Sequence, residues 1–187
     1  MIKIPHKRLF GLIGPPRIGK DEVANFLKNT RNFAIFAFAD QIKEEYGITK
    51  EAFEAAKATG EIERLRQELW NFSAAIREKD PTYFIRGVIT KVEASDTSAV
   101  ITDIRTPLEM QEVMHCNVPI RRIYRVRGNT PDIENGYIAG SKILEGDDSI
   151  QGLKIIINDK TGLAFFHQDL EKFFFHEDLD DMLSVKS

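Results

Sequence analysis

The stretch Leu9-Phe10-Gly11-Leu12-Ile13-Gly14-Pro15-Pro16-Arg17-Ile18-Gly19-Lys20-Asp21-Glu22 decides how the chain is read. Leu9–Ile13 is a short apolar run of the kind that forms a buried strand. Lys20–Lys28 then reads as a helix, with Val23, Ala24 and Leu27 on one stripe. Between the two, Gly14 and Gly19-Lys20 keep the spacing G-x-x-x-x-G-K of a phosphate-binding loop. That chemistry needs successive backbone N–H groups facing the anion, the positive end of a helix dipole behind them, and a cation on a flexible stem. Pro15 and Pro16 lack an N–H, but they sit early in the loop, and Ile18, Gly19, Lys20 and Asp21 keep theirs. A dinucleotide fingerprint fits less well, because its third glycine is missing.

Asp21 stands where such loops usually place a Ser or Thr hydroxyl for Mg²⁺, and Glu22 follows it. A carboxylate beside phosphates is repulsive unless a cation or a water bridges the two. Asp21 is therefore expected either to act through Mg²⁺-bound water or to point away from the phosphates.

Outward from the loop, short apolar runs alternate with longer amphipathic segments. Ala34–Ala39 reads as a second strand and Asp40 as the cap of the helix after it. Ile62, Leu65, Leu69, Phe72 and Ile76 recur at steps of three and four, so Glu61–Lys79 is a helix; Asp80-Pro81 ends it and starts another. Ala99–Thr102, Pro119–Val126 and Leu153–Ile157 read as strands, and Pro107 opens a helix after the first of them. A last helix carries Leu163, Phe166, Leu170 and Phe173 on its inner face. The implied fold is α/β: a three-layer architecture with a five-stranded, mostly parallel sheet and helices on both faces.

The 187 residues contain no repeat and no linker, so residues 1–187 are expected to form a single domain. With 42% hydrophobic and 29% charged residues, the chain is neither a disordered tail nor a fibre. Its 26 Lys and Arg against 29 Asp and Glu give a net charge of −3, which disfavours a nucleic-acid polymer as partner and leaves small anions open. Cys116 is the single cysteine and is expected to be an inert buried thiol, which excludes an internal disulfide and suits a reducing, cytoplasmic setting. The apolar run near the start is too short for a signal peptide or a membrane span. The four histidines show no metal-binding spacing, and His176-Glu177-Asp178 with Asp180 and Asp181 reads as a solvated acidic tail. Phe165, Phe166 and Phe173–Phe175 read as packing residues.

Other residues carry chemistry of their own. Asp103 ends an apolar strand, where a carboxylate can hold Mg²⁺ or its waters, or can cap the helix expected after it. Arg105 follows two residues later, placed to meet a phosphate or to form a surface ion pair. Arg66 and Arg77 are eleven residues apart, about three helical turns, and so share a face with Ser73. Such a pair of guanidiniums can grip a phosphate or form a solvated charged face.

The phosphate loop Gly14–Asp21, Phe38-Ala39-Asp40-Gln41-Ile42-Lys43, the helix Arg66–Arg77, Ile101-Thr102-Asp103-Ile104-Arg105 and Ile157-Asn158-Asp159 occur in an order that resembles the P-loop nucleoside monophosphate kinases. The resemblance is greatest to the deoxynucleoside monophosphate kinases of tailed phages, over residues 8–127 and 153–175. It implies the P-loop NTPase fold, ATP as phosphoryl donor and Mg²⁺ as cofactor. The ATP site would be Gly14, Arg17, Ile18, Gly19, Lys20, Asp21, Glu22 and Asn158, the last beside the donor adenine. An acceptor-binding segment over 40–95 would use Asp40, Lys43, Arg66, Trp70 and Arg77, joined by Arg105. Asp103, with Asp21, would organise the metal. Gln41 stands where proline is frequent; Trp70 replaces a commonly polar position and Ser73 a commonly small one, and these two changes leave the base preference of the acceptor open.

Residues 127–152 occupy the place of a closing lid, yet Arg127 and Lys142 face Asp132, Glu134, Glu145, Asp147 and Asp148, a local balance of −3. Positive charge gathers just before it, at Arg121, Arg122, Arg125 and Arg127. Strand alternation sends Arg125 and Arg127 to one face, as candidate transition-state arginines beside Lys20 and Arg105. The expected reaction is transfer of the ATP γ-phosphoryl group to a (deoxy)nucleoside monophosphate. The alternatives are a dephospho-coenzyme A kinase with Asp40 as base, or a nucleotide-binding module without turnover. The expected partners are small nucleotides, and a homodimer is compatible with the sequence.

Overall fold

The computed structural model describes residues 7–15, 17–128, 154–158 and 162–184. At its centre lies β1 (Arg8–Ile13), buried along its whole length, as an apolar run flanked on both edges and both faces must be. Around it stand β2 (Ala34–Phe36), β3 (Ala99–Ile101), β4 (Ile120–Gly128) and β5 (Lys154–Asn158), in the order β2-β3-β1-β4-β5. All four pairings are parallel, so the sheet is wholly parallel where a mostly parallel one was expected. Register sets Gly11 and Phe36 opposite Ile101, Ile13 opposite Arg125, and Gly128 opposite Asn158. The carboxyl ends of the strands therefore form one edge, where parallel α/β sheets bind their ligands.

The helices are α1 (Lys20–Arg31), α2 (Phe38–Tyr46), α3 (Lys50–Thr59), α4 (Ile62–Lys79), α5 (Tyr83–Ala94), α6 (Pro107–His115) and α7 (Leu163–Ser184). On one face of the sheet, Phe10, Leu12, Val100, Tyr124, Val126 and Ile156 pack with Val23 and Leu27 of α1 and with Phe166, Leu170 and Phe174 of α7. On the other face, Leu9, Ile13, Ala99, Ile101 and Ile123 pack with Ile85, Val88 and Val92 of α5 and Val113 of α6. Cys116 joins this second cluster, and burial pushes its thiol above the ordinary range.

Several boundaries differ from the sequence expectation. The strand expected over Ala34–Ala39 stops at Phe36, and α2 begins at Phe38 with Ala37 as its cap residue. Asp40 thus sits in the first helical turn, because a carboxylate from elsewhere supplies the cap. Helix α3 was not anticipated: it buries no residue, so its stripe of alanines carries no core signal, although the Thr49 hydroxyl caps it by accepting from the Ala52 N–H at 3.2 Å. Pro81 precedes Thr82, the cap residue of α5, and so lies outside that helix.

The largest correction concerns the acidic end of the chain. The inner stripe of α7 is Phe166, Leu170 and Phe174, with Phe173 only partly buried and Leu163 60% exposed. One turn further on, Glu177 is only 4% exposed. Its Oε2 accepts from the Tyr124 hydroxyl at 3.1 Å and from Arg122, and its Oε1 accepts from Lys154. Asp178 pairs with Arg8 and, at 3.3 Å, with Arg31. These carboxylates dock α7 onto the sheet; the segment is not a solvated tail. Of the lid expected over 127–152, only Arg127 and Gly128 lie among the described residues, and Asp159 also lies outside them. No described helix is long and apolar enough to cross a membrane.

Because Glu177 is buried among its partners, Glu177→Ala is expected to destabilise the fold by about 3 kcal/mol. Lys154→Ala, at a more exposed member of the cluster, is expected to cost under about 1 kcal/mol. Urea unfolding of the two variants checks the difference.

Candidate functional site

The phosphate loop is built by close backbone approach. Gly14 has φ 143°, and a Cβ there would lie 2.6 Å from the Val126 carbonyl oxygen of β4. Gly19 has φ 105°, and its Cβ would lie 2.7 Å from Asn158 Nδ2 at the end of β5. Arg17 also takes a left-handed conformation, φ 63°, which bends the loop back towards α1. Asn158 Nδ2 donates to the Ile18 carbonyl at 2.9 Å, so β5 holds the loop from the side. Lys20 is the first residue of α1, and its Nζ donates to the Gly14 and Pro15 carbonyls at 2.7 Å each. The lysine thus lies across the mouth of the loop. Asp21 is exposed in the first turn of α1, where an acidic side chain suits the helix dipole.

A cavity of about 320 Å³ adjoins the loop, lined by Glu22, Asn158, Gly162, Leu163 and Phe166. Two residues assigned to nucleotide binding from the sequence, Glu22 and Asn158, are therefore brought together. Glu22 also pairs with His167 of α7, a residue that the sequence gave no reason to single out, since the two are 145 positions apart.

Asp103 supplies the missing cap. Its Oδ1 accepts from the Phe38 N–H at 2.8 Å and its Oδ2 from the Ala39 N–H at 2.9 Å, so one carboxylate satisfies two orphan donors at the start of α2. Burial pushes its carboxyl above the ordinary aspartate range, against the pull of those two N–H groups and of the Arg105 charge. The turn that follows is held by Glu109, whose Oε2 accepts from the backbone N–H groups of Arg105 at 2.7 Å and Thr106 at 2.9 Å. Thr106 Oγ1 accepts from the Glu109 N–H at 3.2 Å, which completes a capping box at α6. Burial also raises the Glu109 carboxyl. The Arg105 side chain emerges exposed from this fixed turn.

On the helical segment, Lys43 Nζ donates to Asp40 Oδ1 at 2.6 Å and lies over the Phe53 ring. Arg77 Nη2 donates to Ser73 Oγ at 2.7 Å, and its guanidinium lies 5.5 Å from the centre of the Trp70 ring. Trp70 is 54% exposed. The structure therefore gathers Trp70, Ser73 and Arg77 into one cluster, whereas Arg66 pairs with Glu63 on its own helix. Gln41 is buried against Gly87 of α5 and donates to Glu45. Arg125 is 2% exposed opposite Ile13, beside the start of the loop, while Arg127 on the same strand face is exposed.

A family model described as phosphomevalonate kinase matches residues 12–118, more than half of the chain, and spans the phosphate loop, the helical segment and the Asp103 turn. The chain belongs to the phosphomevalonate kinase family. The matched residues include the loop, β2, β3 and the helical segment, and end just before β4. Among solved structures, TT1252 from Thermus thermophilus superposes with a TM-score of 0.53 at 14% identity, covering 92% of this chain and 98% of that one, a likeness of fold. A sugar kinase from Janibacter sp. HTCC2649 (TM-score 0.44, 11% identity, 88% and 91% coverage) is also similar. So is a gluconokinase from Sinorhizobium meliloti 1021 (TM-score 0.41, 11% identity, 94% and 99% coverage). No curated protein matches the sequence.

Removing the cap tests the role the geometry gives Asp103. Asp103→Ala is expected to cost about 1–2 kcal/mol of stability, and Asp103→Asn, which keeps one acceptor oxygen, less than that. Chemical unfolding of both variants measures it.

Proposed function

We propose that this P-loop kinase transfers the γ-phosphoryl group of ATP to the phosphate of a (deoxy)nucleoside monophosphate, giving the diphosphate. The observation that carries the reading is the loop itself. Two glycines sit at positions where no side chain fits, α1 opens behind them, and Lys20 is poised at the mouth. A polyphosphate there would take the N–H groups of Ile18 to Asp21 and draw Lys20 Nζ away from the Gly14 and Pro15 carbonyls.

The attacking group is an oxygen of the acceptor phosphate. It is already anionic, so no general base is required. The new O–P bond forms as the bond from the γ-phosphorus to the bridging oxygen breaks, and ADP leaves. Catalysis then consists of positioning and charge neutralisation. Lys20 would follow the transferred group, Arg105 would meet the acceptor phosphate, and Arg125 and Arg127 would supply positive charge at the same sheet edge. Arg66 and Arg77 would hold the acceptor, with its base against Trp70. Asp40 and Lys43 would line the same segment, within a single domain whose residues 40–95 would receive the acceptor.

Mg²⁺, when bound, would neutralise the phosphate oxygens. It needs only one or two carboxylates in addition to phosphate and water, and Asp103 and Asp21 are hard oxygen donors of that kind. Asp103, with each oxygen already accepting one backbone N–H, would reach the ion through water.

The family description favours a second acceptor, phosphomevalonate, which is also a phosphate monoester and would meet the same arginines. A Mg²⁺–ATP phosphorylation screen over the common ribo- and deoxyribonucleoside monophosphates, phosphomevalonate and dephospho-coenzyme A separates these readings by product. A nucleoside diphosphate is the expected product, and ATP binding without any phosphorylated product would leave only a binding module. Lys20→Ala is expected to lower turnover by at least about a hundredfold with the fold intact, as judged by circular dichroism. Trp70 is the one tryptophan, so its fluorescence should change as a nucleoside monophosphate is titrated in, and Trp70→Leu should raise the acceptor KM.

A further inference from the structure

Helix α4 has 18 residues, and Leu69 and Ser73 are the two that it buries. Leu69 belongs to the apolar stripe of the helix. Ser73, at 1% exposure, is a polar residue where alanine would fill nearly the same space and form the better helix. Its hydroxyl has a defined role in each direction. The proton goes to the Trp70 carbonyl at 3.0 Å, so towards Arg77 the oxygen is an acceptor, and Arg77 Nη2 donates to it at 2.7 Å.

The Arg77 guanidinium is thereby held at two points. One is the Ser73 oxygen, and the other is the Trp70 ring, whose centre lies 5.5 Å from the guanidinium carbon. Trp70, Ser73 and Arg77 follow one another at spacings of three and four, so the helix itself sets the distances between them. A long arginine side chain gives up many rotamers when it grips a ligand, and one already oriented gives up fewer. The guanidinium carries several N–H donors, and the bond to Ser73 uses one without exhausting it.

We propose that Ser73 is a positioning residue for the acceptor: it holds the Arg77 guanidinium beside Trp70, ready for the acceptor nucleotide, without touching the nucleotide itself. The inference rests on the reading of Trp70 and Arg77 as acceptor-binding residues. To that reading it adds the group that orients them before the acceptor arrives.

The test compares Ser73→Ala, Arg77→Ala and the double variant of the full chain. Steady-state kinetics use Mg²⁺–ATP with the common ribo- and deoxyribonucleoside monophosphates. Ser73→Ala is expected to raise the acceptor KM about fivefold, the worth of one hydrogen bond, while kcat and the KM for ATP keep their wild-type values. In the Arg77→Ala background the same substitution should change nothing further, since its effect passes through the guanidinium. The melting temperature of Ser73→Ala should not fall, because alanine is the better helix former. Trp70 is the one tryptophan, so its emission in the ligand-free protein should change in Ser73→Ala as it does in Arg77→Ala.

An acceptor KM that is raised in Arg77→Ala but unchanged in Ser73→Ala overturns the positioning role and leaves Arg77 in the acceptor site. Trp70 emission altered in Arg77→Ala alone does the same. Effects that multiply in the double variant, or a lowered melting temperature with kcat and both KM values moving together, mark a merely structural hydroxyl and also overturn it. An acceptor KM unchanged in Arg77→Ala, or no nucleoside monophosphate phosphorylated at all, overturns the acceptor reading and this inference with it.

Discussion

The whole site depends on a steric constraint at Gly14. There the chain leaves β1 so close to the Val126 carbonyl of β4 that a methyl group would lie 2.6 Å from its oxygen. That contact is possible only because β1 and β4 are parallel and in register up to Ile13 and Arg125. A side chain at Gly14 would push the loop away from the sheet, and with it the start of α1 and Lys20. Gly19 repeats the constraint against Asn158 of β5. The loop is thus fixed on two neighbouring strands before any phosphate arrives, which is the preorganisation that electrostatic catalysis requires.

The same edge of the sheet carries a second fixed element. Asp103 leaves β3 and closes the first turn of α2, so the helical segment after β2 takes its direction from the strand beside it. Glu109 then pins the backbone of Arg105 and Thr106. Phosphate loop, α2 and the Arg105 turn therefore share one rigid frame, with their hydrogen bonds made largely by backbone groups. Their side chains are left to contact whatever binds.

How much of this could be read from the sequence follows from the range of each interaction. The phosphate loop was legible because its glycines, its lysine and the flanking strand and helix all lie within residues 9–28. Helix α4 was legible because its periodicity is local. Asp103 was recognised as a strand-end carboxylate and expected, as one alternative, to cap the helix after it; Thr106 caps that helix, and the partners of Asp103 lie 64 and 65 positions earlier, where no spacing rule reaches. The acidic residues near the end of the chain were misread for the same reason. In one dimension Glu177 and Asp178 look like a solvated run, whereas Tyr124, 53 residues away, and Arg8, 170 residues away, turn them into docking groups. Helix α3 failed differently: it buries nothing, so hydrophobic patterning had nothing to detect.

The docking of α7 bears on the order in which the molecule can be assembled. Phe10 of the first strand stacks on Phe174 of the last helix, and Arg8 waits for Asp178. During synthesis β1 emerges first; α5 and α6 cover one of its faces, but the other stays incomplete until the chain has grown to that helix. The wall formed by Leu163 and Phe166 arrives at the same late stage. Completion of this cavity and completion of the core are, in this fold, a single event.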